Sequence, residues 1–529
     1  MLTKNSSDLH LESDAELGGQ LRAAAVLLEA IVADRGLLAR VPAEDRRRLL
    51  AAAGEVYNPD VNARRRMVKA TIRGRKAART RRDETVLAGT GIRTLRRQPV
   101  FTTPNAFTTP NVLPPAEFDT RDGERTRRES ADAQNCYVCK QDYTVIHHFY
   151  DQLCQTCAEL NFAKRSELAD LRGRVALLTG GRVKIGYQAG LKLLRAGARV
   201  IVTTRFPRDS ASRYAREADF EQWQDRLEIF GLDLRHTPSV EAFCRELLTT
   251  RDRLDFIVNN ACQTVRRPPG FYEHMMARET ASLAGMPARV RNLLGAYEGL
   301  RADRVTVDPG VPATIPAALA GRIAASAGLT HAAEMSQVAL LPDDGGAASD
   351  LFPAGRLDQD LQQVDLRGRN SWRLLLAEVS SVELLEVHLV NAIAPFIINA
   401  RLKPLMLRTT TRDKHIVNVS AVEGQFYRKF KTTRHPHTNM AKAALNMMTR
   451  TSATDYHADG IHMNSVDTGW VTDEDPVEIA ARKTADHRFH PPLDIVDGAA
   501  RIVDPIMSGV NTGEHVWGQF LKDYRPTDW

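Results

Sequence analysis

The sequence predicts an α/β protein: a doubly wound parallel sheet broken by a large insertion, preceded by a helical basic region and a small four-cysteine module. Three observations carry this. From Leu171 onward, short apolar runs alternate with amphipathic helical stretches. The first of these runs, "RVALLTGG", ends at paired glycines, as a strand does when it turns into a helix. The chain also has 529 residues, more than one ordinary domain uses.

Residues 1–100 read as a helical, basic N-terminal region. "AELGGQLRAAAVLLEAIVADRGLLARV" is rich in Ala and Leu at helical spacing, and "PAEDRRRLLAAAGEV" opens with Pro and acids, a helix start. The beginning of the chain has acidic residues and no apolar leader core, so no secretory signal is expected. With 43% hydrophobic and 26% charged residues the chain can bury a sizeable core. No run approaches the ~20 apolar residues of a membrane span, so no membrane partner and a cytoplasmic location are expected. The net charge of +7 is concentrated between Arg64 and Arg97, where only Asp83 and Glu84 oppose the cations. Such a stretch is open to nucleic acid, an acidic partner or anionic lipid, and equally to being a solvated helix.

Residues 101–130 form a Pro-containing linker, read from "QPVFTTPNAFTTPNVLPPAEFDT". The segment 131–168 follows as a small zinc-binding module. Cys136 and Cys139 make one CxxC, Cys154 and Cys157 a second, with fourteen residues between the pairs. Each CxxC aims two thiolates at one point, and two such knuckles complete a tetrahedral zinc site. Four thiolates leave no open position, so the zinc is expected to be structural. His147 and His148 lie between the pairs and are alternative ligands; free or redox-active thiol pairs are the other reading.

The sheet's first half spans residues 169–263, with strands in "RVALLTGG", "RVIVTTR", "RLEIFGLDL" and "LDFIVNNA". Residues 264–380 form an insertion, either a lid over a substrate or a surface for a partner. Residues 381–529 hold the second half and C-terminal tail, with strands in "KHIVNVSAV" and "IHMNSVDTGWV".

The ordered series "TGGRVKIG", "DL", "NNA", "VNA", "NVSAVEG", "NMAKAAL" and "NSVDTGWVT" resembles the short-chain dehydrogenase/reductase family over about Leu171 to Thr472, apart from the insertion. The resemblance implies a Rossmann-type sheet, a nicotinamide dinucleotide cofactor and hydride transfer on a small molecule. It places the phosphate loop at Thr179, Gly180, Gly181, Arg182, Lys184, Ile185 and Gly186, with Lys184 where the family has a glycine. It puts Asp233 and Leu234 near the adenine, Asn260 and Ala261 after the fourth strand, and Gly469 and Thr472 against the nicotinamide side and diphosphate. Cys262 replaces the next glycine of that fourth-strand motif and reads as a small buried thiol. Thr204 stands where NAD-preferring members carry an acid, and Arg205 can pair a 2′-phosphate, so NADP is expected over NAD. A homo-oligomer is expected as well.

On the substrate side the pattern breaks. Lys442 matches the family lysine, which binds ribose, and Asn391 the asparagine that holds a relay water. The tyrosine four residues before the lysine is absent: Thr438 stands there, and reads best as a helix N-cap. The serine position falls on Ala421, with Ser420 able to enter only through a bulge. Tyr427, His435 and His437 are the substitute proton donors in reach of that helix start. Two readings follow: an oxidoreductase with a non-standard donor, or a nucleotide-binding sensor or scaffold without catalysis, in one variant associated with nucleic acid.

Overall fold

The computed structural model describes residues 14–97, 128–297, 331–345, 348–353, 355–358, 363–428, 431–487 and 490–529. Most of the expected linker and the Ala-rich part of the insertion lie outside them. The chain divides into two compact units, Met1–Arg82 and Asp83–Trp529. The first holds α1 (Asp14–Ala33), α2 (Ala43–Tyr57) and the start of α3 (Val61–Ala88). Its apolar side chains, among them Leu21, Val26, Leu27 and Val32, are exposed.

The basic stretch is not one uniform arm. Its cations before residue 83 lie along exposed turns of α3. Farther on, in α4 (Gly91–Arg97), Arg93 is half-buried and paired with Glu84 and Asp151, and Arg96 donates to the Leu493 carbonyl at 2.8 Å. Asp83 caps the edge of β1 (Glu129–Asn135), accepting from Ala131 N at 2.6 Å. β1 pairs antiparallel with β2 (Asp142–Val145), and α5 (Gln155–Ser166) completes the cysteine module.

The larger sheet has eight strands. In chain order they are β3 (Val175–Thr179), β4 (Arg199–Thr204), β5 (Leu227–Gly231), β6 (Phe256–Asn259), β7 (Lys414–Ser420), β8 (Ile461–Asp467), β9 (Phe520–Lys522) and β10 (Arg525–Thr527). Their spatial order is β5-β4-β3-β6-β7-β8-β9-β10, all parallel except the last pair. The order reverses beside β3, and a crevice opens at such a switch point.

Alternation along the strands builds two cores. Leu177, Ile201, Ile257, Ile416 and Met463 are in register and face one side. There they meet α8 (Thr237–Thr250), α10 (Ser381–Met406) and α11 (Pro436–Ala458). Their neighbours Leu178, Val202, Val258 and Val417 face α6 (Lys184–Arg195), α7 (Pro207–Tyr214) and α13 (Ile495–Thr512). Each such side chain, fully buried, contributes about 1.5–3 kcal/mol. α9 (Pro269–Thr280) belongs to the insertion, and α12 (Val477–His487) follows β8.

α10 corrects one expectation: by length and composition it could cross a membrane. Val390, Ala394, Ile398 and Leu402 are nonetheless buried against the sheet, as in a core helix. A π turn at Leu389–Ile393 interrupts it around Asn391.

Candidate functional site

The crevice at the ends of β3, β4 and β6 is a cavity of about 340 Å³. The turn after β3 forms its floor. Gly180 has φ +71, and a Cβ there would stand 2.8 Å from Ala261 Cα. Gly186 opens α6 so tightly that a Cβ would lie 2.3 Å from both Asn260 Nδ2 and the Gly180 carbonyl. Asn260 closes the turn, donating to the carbonyls of Thr179 at 3.1 Å and Gly180 at 3.2 Å. Lys184 adopts φ +54, the left-handed conformation the family's glycine supplies freely.

Gly180, Arg182, Lys184, Ile185, Gly186, Arg205, Asp233, Leu234, Asn260, Ala261 and Thr472 all line this cavity. Thr179 lies beneath it, its hydroxyl accepting from Ala261 N at 3.0 Å. Gly181 is turned toward Val202 and accepts from the Tyr214 hydroxyl. The Gly469 N–H is taken by Asp467. Arg182 is neutralised in a buried pair with Asp209 at 2.8 Å. Asp233 is held in a fork by Arg235, which also reaches Glu386 at 2.8 Å. Burial pushes the Asp233 carboxyl up, but Arg235, with Arg205 adding, outweighs it and holds it below its ordinary value.

Arg205 differs from these. It donates to the Tyr272 hydroxyl at 2.6 Å and stacks 4.6 Å over that ring, while its charge also helps hold the Asp233 carboxyl down. Tyr272 comes from insertion helix α9, a contribution that sequence reasoning missed. Opposite, Thr472 donates to Glu474 at 2.7 Å. Burial pushes the Glu474 carboxyl up, but Lys184, Thr472 and Arg267 together hold it below the ordinary range. Cys262 is an exposed thiol on the cavity wall, not a buried one; its side chain meets Thr264 rather than the core.

Lys442 is buried on α11, and its ammonium donates to the Val419 carbonyl at 2.8 Å. Both ends of the Asn391 amide are used by the Gln263 backbone, at 2.8 and 3.1 Å. Thr438 is not an N-cap. α11 starts at Pro436 behind His435, whose φ of +43 ends the preceding loop, so Thr438 already lies inside the first turn. Its hydroxyl is buried without a hydrogen-bond partner, as are Ser420 Oγ and both amide atoms of Asn446. No bulge turns Ser420: β7 stays in register with β8 through Ser420 and Asp467. Tyr427 is 90% exposed, in solvent rather than swung inward.

His437 is 1% exposed, and its Nε2 lies 3.6 Å from Glu383 of α10. Burial raises the Glu383 carboxyl, but His437 and Ser371 more than offset this and lower it. His435 stacks face to face on Trp372 of the insertion at 3.8 Å, and burial pushes it down to about 4. The segment around Trp372 forms a strap. His435 N donates to the Leu374 carbonyl at 2.8 Å, Asn370 donates to the Glu474 carbonyl at 2.8 Å, and Arg373 pairs with Asp475. A second cavity of about 350 Å³ lies between the insertion and the start of α10, lined by Leu341, Phe352, Ser371, Leu374 and Glu383 among others.

In the cysteine module the sulfurs of Cys136, Cys139, Cys154 and Cys157 all lie within 4.8 Å of one another. Tetrahedral zinc with bonds of ~2.3 Å places its sulfurs ~3.8 Å apart, so the donor set fits. His147 is not part of it: its Nδ1 accepts from Phe149 N and Tyr150 N.

Fold and crevice together define an open, doubly wound α/β protein with a ligand cleft at its switch point. The family profile described as short chain dehydrogenase matches residues 174–282, and the one described as Enoyl-(Acyl carrier protein) reductase matches residues 370–491. The chain belongs to the short-chain dehydrogenase/reductase family, as a divergent member. "Uncharacterized protein R665" of Acanthamoeba polyphaga mimivirus is 30% identical over 382 residues, 70% of this chain and 71% of that protein. "Dehydrogenase/reductase SDR family member 13" of Bos taurus is 36% identical over 105 residues, 19% of this chain and 28% of that protein's length. Among solved structures, the "Pseudomonas aeruginosa RhlG/NADP active-site complex" covers 66% of this chain and 95% of its own at 17% identity, with a TM-score of 0.39.

Proposed function

We propose that the chain is an NADPH-preferring oxidoreductase acting on a small molecule, with His437 in place of the family's tyrosine. The observation that carries this is Arg205: a guanidinium on the cavity wall, hydrogen-bonded to a tyrosine hydroxyl and stacked on its ring, with Asp233 of the same wall within its field. A bound NADPH supplies the hydride; Gly180, Gly186 and Lys184 hold its diphosphate, and Arg205 its 2′-phosphate. His437, oriented by Glu383, gives a proton to the substrate oxygen. The test is binding first. Fluorescence titration should give a much lower Kd for NADPH than for NADH, and Arg205→Ala should remove the difference. Oxidation of NADPH with a panel of aldehydes, ketones and activated alkenes then tests turnover.

The second reading, a nucleotide-binding sensor without turnover, is favoured by one observation. The Lys442 ammonium is engaged with a main-chain carbonyl, and Thr438 offers only an alkyl hydroxyl. Tight NADPH binding with no oxidation across the panel, and no effect of His437→Gln, selects it.

The four thiols are proposed to hold one structural zinc, which ties the knuckles together and takes no part in the reaction. Metal analysis should return one zinc per chain. A second copy of the chain is proposed to cover Leu385, Ile393 and Phe396 of α10 with Met440 and Met447 of α11, all exposed. Sedimentation velocity reads this directly. The exposed cations of α3 support binding of a polyanion, tested by salt-dependent retention on immobilised RNA.

A further inference from the structure

The cysteine module is packed onto the nucleotide cleft through a shared core. Cys136, Phe149, Tyr150, Leu153 and Ala158 of the module bury against Val471 and Leu493, and Ile185 packs on the same cluster. Ile185 belongs to the phosphate turn and lines the cavity; Val471 directly precedes Thr472, which lines it too. The two meet at the start of α13, where a Cβ on Gly498 would touch Ile185 at 2.9 Å and Val471 at 3.1 Å. Polar contacts run the same way. The Tyr137 hydroxyl, between the first two cysteines, accepts from Trp470 N at 3.0 Å. Arg165 of α5 pairs with Asp494 at 2.7 Å and Asp497 at 2.9 Å at the head of α13.

From this we propose that metal occupancy of the four-cysteine site sets dinucleotide affinity. The inference rests on the proposed NADPH binding and on the proposed zinc. A module of some forty residues has little core of its own, so its knuckles depend on the metal for their shape. With zinc bound, Cys136 and Tyr137 are fixed, and they fix Trp470–Thr472 and Ile185 at the two sides of the cleft. Without it, the ordering of both loops falls to the ligand and must be met from its binding energy. The coupling is reciprocal: whatever factor zinc adds to NADPH affinity, NADPH adds to zinc affinity. Tyr137 is a positioning residue in this scheme, acting on the cleft through the Trp470 backbone.

The experiment uses the full chain, zinc-loaded and chelator-stripped, each checked by circular dichroism for an intact sheet. NADPH Kd by fluorescence should rise about tenfold on stripping and return when zinc alone is added back. NADPH should slow zinc release to a colorimetric chelator by a similar factor. Tyr137→Phe, which keeps all four thiols, should retain its zinc yet bind NADPH several-fold more weakly. Equal NADPH affinities with and without zinc overturn the coupling. An unchanged Tyr137→Phe affinity overturns the route through the phenol. A chain that returns with no zinc and takes none up overturns the metal itself. If the zinc-loaded chain binds no dinucleotide, the underlying reading fails, and the flat NADPH titration tells this apart from equal, measurable affinities with and without zinc.

Discussion

Two regions of the molecule, the cleft at the ends of β3, β4 and β6 and the buried start of α11 beside β7, differ in how completely their polar groups are used. On the side of β3, β4 and β6, nearly every group has a partner: Asn260 closes the phosphate turn, Asp233 is forked by Arg235, and Arg182 is neutralised by Asp209. On the side of β7 and α11, the Ser420 and Thr438 hydroxyls and the Asn446 amide are buried without hydrogen bonds. Buried polar groups left unpaired cost about 1–3 kcal/mol each, so the second side is built at the expense of stability. The first side is finished by the chain itself. The second keeps donors and acceptors without a protein partner, and none of them lines the cavity.

The sharpest way to break this contrast is at the finished side. Gly186→Ala places a methyl 2.3 Å from the Gly180 carbonyl and should abolish NADPH binding and lower stability by about 2–4 kcal/mol. Normal titration and melting curves would show that the turn is looser than its geometry. Next comes the unfinished side. His437→Gln and Glu383→Gln should each lower NADPH-dependent turnover about a hundredfold and leave NADPH Kd unchanged. A parallel loss of binding would mean that the pair is structural.

Acid should weaken the second side first. His435, pushed down to about 4 by burial, stays neutral in the fold while the unfolded chain protonates near 6.5. Its folded pKa is depressed, so the unfolded state binds more protons and stability falls as pH drops from about 6.5 toward 4. The buried His415, lowered by burial and by His462 and His515, adds in the same direction. Thermal melts should show Tm falling across this window, and His435→Asn should flatten the fall. The smallest expected effect is at Thr438→Val. Replacing a partnerless hydroxyl with a methyl should raise stability by about 0.5–1 kcal/mol. A loss instead would reveal a partner for the hydroxyl.

Much of the first side was legible in the sequence because its residues are local. "TGGRVKIG" and "NNA" are short runs whose spacing specifies a turn, and the strands around them alternate plainly. The two CxxC pairs were legible for the same reason. The clamp on Arg205 was not, since Tyr272 lies sixty-seven positions away in an insertion without a recognisable pattern. Glu383 beside His437 was hidden likewise: a helix acid reads as a solvated charge until α10 is laid against α11. Asn259, Asn399 and Asn418, which bond one another beneath the site, come from two strands and a helix and signal nothing singly. Thr438 misled as an N-cap because the left-handed His435 starts the helix earlier than a polar residue suggests.

Lys184 carries a consequence in the language of selection. Glycine would adopt φ +54 there at no steric cost, whereas a lysine is disfavoured by about 1 kcal/mol. Folding alone would therefore choose glycine. If the cavity takes a dinucleotide as proposed, the charged side chain at this strained position on its wall, within the field of Glu474, serves the ligand rather than the turn. Lys184→Gly should yield a sturdier protein that binds NADPH more weakly; a melting curve and a titration of the same variant read both halves of that trade.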